Sequence, residues 1–94
     1  MIVQKSNVLN LIMSGHSELL IMWLGSLISA DNSPSNWEDN ETNLRIFKEV
    51  LDENLVLPMT QEQRQWYYDI CNKGIEIIER ERGGMLNDSS TIYP

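Results

Sequence analysis

The sequence predicts an all-α fold: one domain, a bundle of three to four helices over residues 1–84, closed by a short C-terminal tail over 85–94. Three observations carry that prediction. The chain has 94 residues, which leaves room for one hydrophobic core and not two. Apolar residues recur at helical spacing in four separate segments. The one extended stretch, Leu55-Val56-Leu57-Pro58, has no second strand to pair with.

The first helix is expected over residues 6–14. Gly15 is placed to end it, because glycine takes positive φ without steric cost. The alternative is one long kinked helix running on to residue 30. The second helix is expected over 17–30, with Ser17 as N-cap and Glu18 at the positive end of the dipole. Its apolar residues, Leu19, Leu20, Ile21, Trp23, Leu24, Leu27 and Ile28, cover more than half the circumference and leave Glu18, Met22, Gly25, Ser26 and Ser29 as the remaining stripe. So wide a face predicts the central, most buried helix of the bundle. Gly25 and Ser29, four apart, offer a close approach to a neighbouring helix.

Residues 31–40 read as a loop, since Asn, Asp, Ser and Pro favour turns. Trp37 is its one large apolar residue. The third helix is expected over 41–54, capped by Asp39 or Asn40, with Leu44, Phe47, Val50 and Leu51 as its apolar stripe. Glu41–Arg45, Arg45–Glu49 and Lys48–Asp52 stand i,i+4 apart and are expected to pair on its solvent face. That leaves Asp31, Glu38, Asp39 and Glu53 as acids without a local base.

The fourth helix opens on Thr60-Gln61-Glu62-Gln63, the spacing of a capping box. It is expected to end near Arg82, where Gly83-Gly84 follows. Trp66, Tyr67, Ile70, Cys71, Gly74, Ile77 and Ile78 form its apolar face, with Tyr68 and Ile75 on one flank. Met85, Leu86, Ile92 and Tyr93 are available to pin the tail to the body.

Composition narrows function. The net charge is −7, concentrated in residues 31–53, where seven acids face two bases. Phosphate binding needs lysine and arginine, so direct nucleic-acid binding is not expected. An acidic surface attracts a basic protein, although it also serves solubility. Residues 8–28 have the length of a membrane span. Glu18 and His16 interrupt them, and the longest unbroken apolar run is 19–24, so no membrane role is expected. The N-terminus lacks the pattern of a signal peptide, and one cysteine excludes an internal disulfide. A cytoplasmic protein is the expectation.

Catalytic and metal signatures are missing from the pattern. His16 is the sole histidine. Its neighbours Ser14, Ser17 and Glu18 are triad residue types, but triad members converge from distant positions. Cys71 lies on an apolar helix face, where cysteine acts as a small hydrophobe. No paired Cys or His-x-x-x-His spacing offers a metal site. The chain is therefore read as a non-enzymatic binding protein that needs no cofactor or metal.

The candidate partner-binding residues are Asp31, Trp37, Glu38, Asp39, Glu53 and Tyr68. Trp37 beside Glu38 and Asp39 has the makeup of an interface anchor, although a loop tryptophan also folds back onto a core. Asp31, Glu38, Asp39 and Glu53 are expected to line one end of the bundle. Tyr68 with Ile75 is either exposed or core edge beneath the tail.

From residue 19 to 74 the layout runs from an apolar helix with Trp23 to a polar loop with Trp37. A helix bearing Leu44 and Leu51 then closes with Asp-Glu-Asn-Leu-Val-Leu-Pro, and a Thr-x-x-Gln capped helix carries Trp66-Tyr67-Tyr68. This order, covering about half the chain, resembles small bacterial immunity proteins of contact-dependent growth inhibition systems. The paired-tyrosine motif of colicin DNase immunity proteins is not matched, because Tyr67-Tyr68 lies inside a helix with no proline after it. The resemblance implies a cytoplasmic protein that binds a cognate toxin, often a basic nuclease, and covers its active site or substrate groove. Charge complementarity is compatible with such a partner. Two alternatives stand beside it: a phage-encoded inhibitor of a nucleic-acid-binding complex, and a homo-oligomeric structural or adaptor module using the apolar face of residues 19–28.

Overall fold

The computed structural model describes residues 2–28 and 36–90, with side chains described over 2–28 and 36–82. Four helices follow one another: α1 (Lys5–Met13), α2 (Ser17–Ile28), α3 (Trp37–Glu53) and α4 (Gln61–Ser90). Among the described residues there is no strand. The fold is an all-α, up-down-up-down bundle. α1 and α3 run toward the 54–60 connection, while α2 and α4 start beside it and run away. α4, at about 1.5 Å per residue, spans about 45 Å, so the body is elongated at 53 × 24 × 20 Å.

Gly15 breaks α1 from α2. Its φ is +76°, and its N–H donates to the Ile12 carbonyl at 3.1 Å. The kinked-helix alternative is thereby excluded. The carbonyl of His16, not Ser17, accepts the first bond of α2, from Leu20 at 3.2 Å. The exposed His16 therefore occupies the cap position expected of Ser17.

α3 is the central helix: like α2 it packs against each of the other three, but it carries the larger share of the buried core. Leu44, Phe47 and Leu51 are 0% exposed and Val50 1%. This corrects the expectation for α2, in which only Leu20, Leu24 and Leu27 are buried. Leu19, Ile21 and Met22 stand 52%, 45% and 69% exposed. Apolar residues around most of a helix satisfy the pattern of a central helix, but they equally mark a helix whose outer face is a second interface. Gly25 does not admit a neighbour either, since nothing lies within 4 Å of where its Cβ would stand. Ser29 lies outside the described residues. The glycine that does admit a close approach is Gly74, whose added Cβ would stand 2.8 Å from Ile28 Cγ1 and 2.9 Å from Leu44 Cδ1.

α3 also begins earlier than its loop-like sequence predicts. Trp37 is its first residue and Asn36, not Asp39 or Asn40, takes the cap position without a side-chain capping bond. Glu38 and Asp39 occupy the first turn, where the dipole favours acids. At the other end of the molecule, α4 does not stop at Gly83-Gly84 but continues to Ser90. Glycine lowers helix propensity by about 1 kcal/mol and does not forbid the conformation. Residues 85–90 of the expected tail therefore extend α4, and 91–94, with Ile92 and Tyr93, lie outside the described residues.

The capping box at the start of α4 forms reciprocally. Thr60 Oγ1 accepts from the Gln63 N–H at 3.0 Å, and Gln63 Oε1 accepts from the Thr60 N–H at 2.8 Å. One turn further on, Arg64 closes the far end of α3. Its guanidinium donates to the carbonyls of Leu51, Asn54 and Leu55 at 2.5, 2.9 and 3.1 Å. Carbonyls at a helix C-terminus have no intrahelical partner, and a cation there also opposes the dipole. The segment before α1 is tied down by Asn43, buried at 4%, whose Oδ1 accepts from the Val3 N–H at 2.9 Å.

Candidate functional site

The six residues singled out by sequence fall in different places. Asp31 lies outside the described residues. Trp37, Glu38 and Asp39 form the first turn of α3, and Glu53 its last residue. Fifteen residues of helix separate Glu38 from Glu53, about 22 Å, so these acids do not line one end of the bundle. Tyr68 lies with Glu53 at the opposite end from Trp37. Trp37 is only 9% exposed and belongs to the core, which corrects its reading as an exposed anchor. Its large indole, placed in the first turn, is drawn inward by burial of apolar area. Glu38 is exposed, and Asp39 is half-buried and has a partner of its own.

Glu53 is not an unpaired acid. Lys5 Nζ of α1 stands 2.6 Å from Glu53 Oε1 and 2.9 Å from Glu49 Oε2. Glu53 first, and Glu49 second, hold the Lys5 ammonium above its ordinary range. Arg45 reaches Glu79 of α4 at 2.9 Å and Glu41 at 3.5 Å, rather than Glu49. Arg82 faces Glu41 Oε2 at 3.3 Å, without hydrogen-bond alignment. Asp52 accepts a hydrogen bond from the Tyr68 hydroxyl, so Tyr68 is a half-buried brace between α3 and α4. Ile75, expected beside it on the flank, is buried at 7%. Partners from other helices, invisible to i,i+4 spacing, thus absorb most of the acidic middle of the chain.

The apolar face of α4 is rotated from the expected one. Tyr67, Cys71, Ile75 and Ile78 are buried, whereas Trp66 is 45% exposed. Burial pushes the Cys71 thiol up to about 12, which leaves no thiolate at neutral pH and no nucleophile there. Burial also raises the Tyr67 hydroxyl. Among the described residues, no three His, Cys, Asp or Glu side chains gather as a metal site. No described helix is long and apolar enough to cross a membrane.

What the rotation of α4 and the exposure of α2 create together is a valley between the two helices. It encloses about 400 Å³ and is walled by Ile21, Leu24, Gly25, Ile28, Trp66, Ile70 and Lys73. It runs on past Ile21 and Trp66 to Ser17 and Glu62 at the helix starts. Met22, next to Ile21 and one turn before Gly25 on α2, is exposed. Trp66 is held at its position by an edge-on contact with Tyr67, ring centroids 5.2 Å apart. Tyr67 in turn meets Phe47 at 5.7 Å, and Phe47 meets Trp23 at 6.1 Å. The exposed indole is thus the outer end of an aromatic row rooted in the core. Sequence periodicity grouped Trp66 with the core and so missed this face.

No protein-family model matches the chain, and comparisons with curated proteins and with solved structures find no match either.

Proposed function

We propose that the chain is a non-enzymatic binding module that docks another protein on the α2–α4 valley. The observation that carries this is the exposure of Ile21 and Trp66 in the walls of an apolar trough. Large contiguous exposed apolar patches are uncommon on monomers and mark interaction sites. A core-braced tryptophan at its centre has the character of an anchor, because little side-chain freedom is lost on binding. Leu55 and Val56 are also exposed, at 86% and 89%, in the connection between α3 and α4.

The second reading is neutralisation of a basic toxin nuclease in the cytoplasm, as the resemblance to immunity proteins implies. The exposed Glu38 and the net charge of −7 favour it. Capture of partners from the native host separates the two. Wild type, a Met22→Asp/Trp66→Ser variant and a Glu38→Lys/Asp39→Lys/Glu53→Lys variant are each used as bait at low and high salt. The valley reading predicts that the apolar variant loses its partner and the charge variant keeps it at both salts. Loss in the charge variant, with release of the wild-type partner by salt, transfers the site to the acids. Retention by both variants eliminates the valley as the docking face.

A further inference from the structure

We propose that the valley receives a second copy of this chain, docked about a two-fold axis; this rests on the valley being a docking face. A two-fold interface brings one patch against itself, so the patch must be self-complementary under reversal. The valley meets that requirement. Its middle is apolar, Glu62 stands at one end and Lys73 at the other. Ile21 and Trp66 line both halves, so the trough is continuous between the two charges. Eleven residues of α4 separate them, about 16 Å of helix. An axis between Trp66 and Ile70 therefore places each Glu62 against the other copy's Lys73, with apolar residues meeting in between.

Shape agrees with charge. On α2 the projecting Met22, 69% exposed, lies within one turn of Gly25, over which there is open space. The same reversal sets Met22 of each copy over the Gly25 notch of the other. A foreign cationic helix, the occupant that net charge alone calls for, meets Lys73 in the valley wall as a like charge. Two copies carrying −7 each repel at long range, so salt tightens this dimer, whereas it loosens a complex with a basic protein.

Light-scattering mass of the full chain across a concentration series tests the proposal, with wild type, Glu62→Lys, Lys73→Glu, the double swap and Met22→Asp compared. Wild type is expected at twice 10.9 kDa, with the dimer favoured further by salt. Each single reversal affects both symmetry-related pairs and is expected to weaken the dimer, about tenfold for Lys73→Glu, which also deepens the mutual repulsion, and less for Glu62→Lys, which relieves it. The double swap, which restores opposite charges across the axis, is expected to recover to within about threefold. Met22→Asp, at a site too exposed to disturb folding, is expected to give monomer. A wild type that stays monomeric overturns the proposal, as does a dimer indifferent to Met22→Asp or a double swap no better than the singles. If the wild type is monomeric and Met22→Asp still abolishes capture of a foreign protein, this inference falls while the docking face stands.

Discussion

Phe47→Ala is expected to remove about 3–5 kcal/mol of stability, the usual cost of emptying a fully buried aromatic site. Phe47 is 0% exposed and lies on the helix that carries most of the buried core, packed against the other three. It also joins the Trp23 and Tyr67 rings across the bundle, at 6.1 and 5.7 Å. Edge and tilted aromatic contacts add about 0.5–1.5 kcal/mol each beyond burial. The site cannot collapse easily, because Leu44, Val50 and Leu51 around the same turn are held from several sides. A domain of this size has about 5–14 kcal/mol in total, so the variant loses a large fraction of its stability. Urea unfolding followed by tryptophan fluorescence measures the loss. Trp66→Ala is the internal comparison, since a ring already 45% exposed contributes less to the core. Equal losses from the two variants would mean that Phe47 is not the centre of the fold.

Arg64→Ala is expected to cost about 2–3 kcal/mol. The guanidinium satisfies carbonyls from Leu51, Asn54 and Leu55, and charge-assisted bonds contribute about 1.5–3 kcal/mol where water is excluded. Leu55 is exposed, so its carbonyl regains water and the sum is discounted. The loss is local in origin: without the fork, the last turn of α3 and the turn to Pro58 lose their only described side-chain link to α4 other than Tyr68–Asp52. Arg64→Lys is expected to recover less than half, because a point ammonium cannot serve three carbonyls in a planar fan. Hydrogen exchange should show the extra opening concentrated over residues 50–57. Uniform destabilisation, or full rescue by lysine, would contradict a forked clamp.

The readability of this fold from sequence follows the range of the interactions. Gly15 and the Thr60–Gln63 box act within a few residues, and both appear in the structure as the sequence predicts. Gly83-Gly84 and the 36–40 segment were misleading for a physical reason. Glycine permits a break without enforcing it, and Asn-Trp-Glu-Asp is as suitable for a first helical turn as for a loop. The errors at the site share another cause. A helical wheel measures which residues are apolar, not which of two surfaces they serve, so α2 read as central and Trp66 read as core. Likewise Glu53 read as unpaired because its partner, Lys5, is 48 positions away. The signal for the valley was present as an excess: α2 carries more apolar circumference than one core contact uses.

The central claim is that the α2–α4 face is covered when the protein is at work. Hydroxyl-radical footprinting tests it most directly, comparing dilute protein with concentrated or partner-bound protein. Met22 and Met13 start from similar exposure, 69% and 56%, and methionine is readily oxidised. Met13 lies at the end of α1 and lines neither part of the valley. Protection of Met22 and Trp66 with unchanged oxidation of Met13 is the predicted result. Met22 and Trp66 remaining as reactive in the complex as in the dilute protein would contradict the assignment.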